Sequence, residues 1–185
     1  DKGIRMNDHF DKAASASRNA DFAAFERIVA ARWSCRAFLP DPVPRETIET
    51  ILRVAQKTPS WNNAQPWEVV VTSGRATDRF RALMTDKQMS GAPREPDLAF
   101  PREYRETYLA RRRACGFQLY DAVGVQRGDK AGYARQSLRN YELFDAPHVA
   151  IVTTDEALGV YGAVDCGAYV SSFMLAAQGL GVATI

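Results

Sequence analysis

Pro59-Ser60-Trp61-Asn62-Asn63-Ala64-Gln65-Pro66-Trp67 carries no charge from end to end and lies between a helical pattern and a strand pattern. Prolines, indoles and carboxamides make up most of it, an odd composition for a connector. Asn and Gln each offer donors and an acceptor, so a row of them beside flat apolar surface suits a planar ligand edged with carbonyl and N–H groups. The same residues also suit a plain connector, in which Pro59 stops a helix, Asn62 and Asn63 make the turn and Trp67 opens the next strand. Both readings stand until the flanking sequence is considered.

Upstream, residues 21–32 place Phe22, Phe25, Ile28 and Val29 at helical spacing, which predicts an amphipathic helix with one buried stripe. Residues 1–20 are expected to be a flexible N-terminal tail ahead of a domain covering 21–185. The helix delivers Arg32-Trp33-Ser34-Cys35-Arg36. In an extended segment positions 32, 34 and 36 share a side, which groups two guanidinium groups with a hydroxyl. Such a group suits a phosphate, because arginine can donate paired charge-assisted hydrogen bonds to its oxygens. Alternatively, Arg32 complements the helix C-terminus and Arg36 is solvated. A second helix opens at Asp41-Pro42-Val43-Pro44, buries Ile48, Ile51, Leu52 and Ala55, and ends before Pro59.

Downstream, residues 67–72 are too rich in β-branched side chains for a surface strand and are expected to form a buried one. A helix over 76–89 follows, with Phe80, Leu83 and Met84 inward. The proline-bearing loop 90–101 then leads into helical patterns over 103–122 and 130–144. Arg111-Arg112-Arg113 spread around a helix instead of forming one basic face, so a solvated helix is preferred to a nucleic-acid surface. Salt-dependent retention on DNA is the minimum a nucleic-acid reading over 102–113 would require. Residues 147–154 read as a second buried strand, with His148 a satisfied core or strand-end histidine in preference to a catalytic one. Residues 161–178 form a helix of small residues, expected to be approached closely by other helices, a second subunit's included. A third strand is expected to begin at Val182, and an apolar strand start at Ile185 leads to the expectation that a C-terminal continuation is missing.

A chain of 185 residues with 46% apolar and 25% charged side chains fits one domain with a sizeable core. A formal charge of +2 gives no argument for nucleic acid. No apolar run is read as membrane-spanning and no signal peptide is seen, so no membrane partner and a cytoplasmic location are expected. Cys35, Cys115 and Cys166 are odd in number and far apart, and with only His9 and His148 beside them no disulfide framework and no metal site are expected. There is no P-loop and no Gly-x-Ser-x-Gly elbow, and Gly179-Leu180-Gly181 follows a helix where a dinucleotide fingerprint must follow a strand. An anion cluster at 32–36 and a planar-ligand loop at 59–67 remain. Together they describe a phosphate at one end and a ring at the other, as in a mononucleotide cofactor with an isoalloxazine ring.

In this order the chain resembles the FMN-dependent nitroreductase family. The likeness runs through Arg32-x-Ser34-x-Arg36, the nine-residue loop from Pro59 to Trp67, the strand entry Ala146-Pro147-His148 and a small-residue helix ending in Gly179-Leu180-Gly181. The loop is the most specific of these. The resemblance implies an α+β fold with a central mixed β-sheet flanked by helices, in an intertwined homodimer with flavin sites at the interface. It gives Arg32, Ser34 and Arg36 the flavin phosphate and ribityl chain, with Trp33 contributing backbone. Pro59, Ser60, Trp61 and Asn63 would reach the flavin of the other subunit, although many members have serine where Trp61 stands. Asn140 lies near where some members place a polar flavin contact.

The implied activity is NAD(P)H-dependent reduction of nitroaromatic compounds by a ping-pong hydride mechanism, with NADPH or NADH as donor. No protein side chain is then catalytic, since the flavin carries the chemistry. Residues 90–135 are expected to form a lid over the active site, lined by Tyr104, Tyr108, Phe117 or Tyr120. Within the same fold the alternatives are quinone or enone reduction and reductive dehalogenation. Outside it stands a non-catalytic flavin-binding regulatory module, which would be yellow yet inert to reductants.

Overall fold

The computed structural model describes residues 12–185. Helix α1 spans Lys12–Ala31, so the second part of the expected tail, 12–20, is helical, while 1–11 lie outside the described residues. The reason lies in the sequence: the segment is alanine-rich and holds no glycine or proline to stop a helix before Asp21. The order continues α2 Arg45–Ala55, β1 Glu68–Ser73, α3 Arg75–Met89, α4 Glu106–Ala122, α5 Lys130–Arg139, β2 His148–Thr153 and α6 Gly159–Gly179, an α+β fold. The chain divides into two compact units, Thr72–Val149 and the remainder.

The larger unit is built on α6, against which α2 and α1 pack. Ile51 and Ala55 lie on one face of α2 one helical turn apart and are both buried. Ala55 joins Trp67 and Tyr169 in the core, with Val69, Val152, Cys166 and Phe173 packed around them. The rings of Trp67 and Tyr169 stack with centroids 4.9 Å apart. Thr58 closes α2 by donating its hydroxyl to the Ala55 carbonyl at 2.7 Å. In the unit Thr72–Val149, Arg81 donates to the carbonyls of Glu142 and Ala146, and the Thr77 hydroxyl donates to the Pro147 carbonyl. His148 is half-buried at the start of β2, with Nδ1 3.0 Å from the Thr72 carbonyl, the satisfied strand-end histidine expected.

Several expectations are corrected. β1 and β2 form a two-stranded sheet whose residues are at most half-buried, with Val70 60% exposed, so neither is the fully buried strand expected. Side chains alternate across a strand, and only one face of β1 meets the Trp67 cluster. No third strand forms among the described residues; Thr184 makes one isolated parallel bridge to Ser34. The stripe on α1 is not buried either: Phe22, Phe25 and Val29 are exposed, and so is Leu83 on α3. α5 stops at Arg139, and Leu143, Phe144 and Asp145 take left-handed φ in a short turn. Glu156–Gly179 does reach a membrane span's length and apolar composition, where none was expected. Its covered side packs on α1 and α2, and its open side carries Val160, Val164 and Val170.

Candidate functional site

Residues 32–36 leave the end of α1, where the Arg32 N–H still donates to the Ile28 carbonyl. Ser34 then pairs with Thr184, and the Cys35 N–H donates to the Thr184 carbonyl at 2.9 Å. That pairing fixes the alternation. Cys35 turns inward and is buried, while Ser34 is exposed and Arg32 and Arg36 are half-exposed. Among the described residues no carboxylate pairs with Arg32 or Arg36; Arg36 makes a long contact, 3.4 Å, to the Ser34 carbonyl. Two guanidinium groups without carboxylates beside an exposed hydroxyl are a donor set that fits a phosphate. Trp33 is 62% exposed.

The loop after α2 belongs to the same unit. Asn62, Asn63 and Gln65 all hold left-handed φ, at 50°, 56° and 47°. Asparagine tolerates that region, whereas for Gln65 it costs about 1 kcal/mol. Hydrogen bonds hold the loop in this shape: the Gln65 N–H donates to Ser60 Oγ at 2.8 Å, and Asn63 N–H to the Ser60 carbonyl at 3.0 Å. From α6, the Asp165 carboxylate accepts the Trp61 N–H through both oxygens, at 3.3 and 3.1 Å, and the Tyr161 ring lies 5.2 Å from the Trp61 ring. Asp165 and Tyr161 are one helical turn apart, so one face of α6 clamps the loop twice.

Outward from this clamp the loop is open. Pro59, Trp61, Asn62, Asn63 and Gln65 are exposed and Ser60 is half-buried, a strained polar surface that suits the edge of a flat ring. Asn140 lies in the other unit. It ends α5 and donates Nδ2 to the carbonyls of Gln136 and Ser137, which leaves its Oδ1 as the atom open to a ligand. Beside the clamp, burial pushes the Cys166 thiol up, opposed by the Thr154 hydroxyl and reinforced by the neighbouring Asp165 charge.

Sequence reasoning missed Asp165, Tyr161, Gln56 and Thr184. Asp165 had a signal, because it is the one charged residue within α6 and lies a turn from an aromatic. Gln56 had none. Its side chain accepts from the Trp67 indole N–H, eleven residues on, which no local pattern reports.

The sequence profile described as the Nitroreductase family matches residues 29–185. Nitroreductase NfnB of Mycolicibacterium smegmatis is 39% identical over 170 residues, covering 87% of this chain and 69% of its own. Chloronitrobenzene nitroreductase of Comamonas testosteroni is 38% identical over 152 residues, 80% of this chain and 66% of its own. The crystal structure of the FMN-dependent NfnB from Mycobacterium smegmatis in complex with NADPH superposes with a TM-score of 0.82 at 31% identity, over 88% of this chain and 73% of that one. This chain thus spans about two thirds of the length of these curated relatives.

Proposed function

The chain belongs to the nitroreductase family, and on that premise we propose that it reduces nitroaromatic compounds with NAD(P)H, using FMN as its resident redox group. The observations that carry the reading are two donor sets of matching chemistry, carboxylate-free Arg32 and Arg36 for a phosphate and a strained, open carboxamide loop for a ring edge. Support for donor and acceptor comes from the relatives, one named for chloronitrobenzene and one solved with NADPH.

FMN bound there would supply the hydride-transfer chemistry that links the nicotinamide to the acceptor. The chain's own part is to bind and orient. Arg32 and Arg36 donate to the phosphate and Ser34 adds a hydroxyl, with the Trp33 backbone alongside. Pro59, Ser60, Trp61 and Asn63 hold the ring edge, and Asn140 offers only its carbonyl. The loop serves a second copy's flavin in a homodimer. Open apolar side chains on α1 and α6 support that assembly: Phe22, Phe25, Val160 and Val164 are all more than half exposed, an extent of apolar surface that marks association.

Residues 90–135 act as the lid on the acceptor side. Supporting this, α4 buries none of its residues and leaves Tyr108 69% exposed. The free thiols Cys35, Cys115 and Cys166 fit a cytoplasmic protein. Visible absorption of the chain purified with FMN tests the function: anaerobic NADPH bleaches the flavin band and a nitroarene restores it. A yellow protein inert to both nicotinamides overturns the enzyme and leaves a flavin-binding regulatory module.

A further inference from the structure

One series of side chains joins the core to the candidate loop. The Trp67 indole Nε1–H donates to Gln56 Oε1 at 2.9 Å, Gln56 Nε2 donates to Gln65 Oε1 at 3.1 Å, and Gln65 Nε2 donates to Asn63 Oδ1 at 2.9 Å. An indole N–H can only donate, whereas each carboxamide has a donor end and an acceptor end. Trp67 therefore fixes the direction of every member. Gln56 must turn its oxygen to the indole, so its NH2 donates to the Gln65 oxygen, and the Gln65 NH2 in turn donates to the Asn63 oxygen. The reverse order would set the Gln56 NH2 against the indole N–H, donor against donor. Trp67 is itself held, 7% exposed and stacked on Tyr169.

We infer that Trp67, Gln56 and Gln65 are positioning residues that orient Asn63, so that Asn63 presents its NH2 to the ligand and the ligand must offer a hydrogen-bond acceptor there. The ligand class is a planar heterocycle with a carbonyl oxygen or unprotonated ring nitrogen on its edge. That this heterocycle is the FMN ring rests on the function proposed above; the polarity of the relay does not.

Two substitutions at Gln56 separate orientation from simple support. At pH 7.5 Gln56→Glu keeps the indole bond but can only accept, so Gln65 turns its NH2 to it, its oxygen to Asn63, and Asn63 then presents its oxygen outward. Gln56→Met loses the indole bond and imposes no direction. Binding is measured for FMN and for riboflavin, which lacks the phosphate and so removes repulsion by the added charge. Gln56→Glu is expected to weaken both ligands by about tenfold or more relative to wild type. It also weakens them more than Gln56→Met does, although the Glu variant has the higher Tm of the two. Wild-type affinity in Gln56→Glu, or weaker binding in Gln56→Met than in Gln56→Glu, overturns the inference. If the wild type binds neither flavin, the FMN reading falls and the relay is read in the ligand-free protein by side-chain amide exchange. There the Asn63 NH2 exchanges fast in wild type and slowly in Gln56→Glu, and equal rates overturn the relay.

Discussion

Asp165 shows how one buried side chain can serve a loop more than the fold. It is 8% exposed, accepts the Trp61 N–H, and among the described residues has no Lys or Arg paired with it. A carboxylate so placed is costly to bury and stabilises the fold little. Removing it therefore loosens the loop without unfolding the unit: in Asp165→Ala the Trp61 amide exchanges about tenfold faster or more, by hydrogen-exchange NMR, with little change in Tm. Tyr169 belongs to the core in the opposite sense. Burial raises its phenol above the ordinary value of about 10. A raised folded value means its contribution is complete below about pH 10 and is lost as pH climbs through the folded value. Alkaline titration followed at the tyrosinate band is expected to show Tyr169 ionising late and together with loss of near-ultraviolet dichroism; Tyr169→Phe removes that late step.

At the scale of elements, α6 organises the larger unit and tolerates little added bulk on its packed side. A Cβ built on Gly162 would lie 2.9 Å from the Thr154 hydroxyl and 3.0 Å from the Leu158 Cβ. Alanine gains about 1 kcal/mol of helix propensity there but adds about 1–3 kcal/mol of overpacking, so Gly162→Ala is expected to be neutral to about 2 kcal/mol destabilising in urea unfolding. A clear gain in stability contradicts this packing. The helices were legible in sequence because apolar spacing at 48, 51, 52 and 55 and breakers at Pro59 and Gly74 act locally. The strands were only half legible: their β-branched composition marked them as strands, but burial depends on what covers a sheet's second face, which no strand's own sequence records. The loop motif gave its residues and not its clamp, since Tyr161 and Asp165 lie about a hundred positions away and meet it only through tertiary packing.

At the scale of the whole molecule, the open side of α6 and the stripe on α1 give the dimer proposal its physical content. Val164 is 63% exposed, so Val164→Glu spares the single chain while setting a charge in the proposed interface. Sedimentation velocity is expected to find a monomer with unchanged far-ultraviolet dichroism and weakened FMN binding; a dimer of unchanged affinity contradicts the placement. The central claim is that residues 32–36 and 59–67 grip opposite ends of one phosphorylated ring. The measurement that tests it most directly is the ratio of FMN to riboflavin affinity in wild type, Arg36→Ala and Asn63→Ala. The account predicts that wild type prefers FMN, that Arg36→Ala loses most of that preference, and that Asn63→Ala weakens both ligands equally. An unchanged ratio in Arg36→Ala, or a loss confined to FMN in Asn63→Ala, would contradict it.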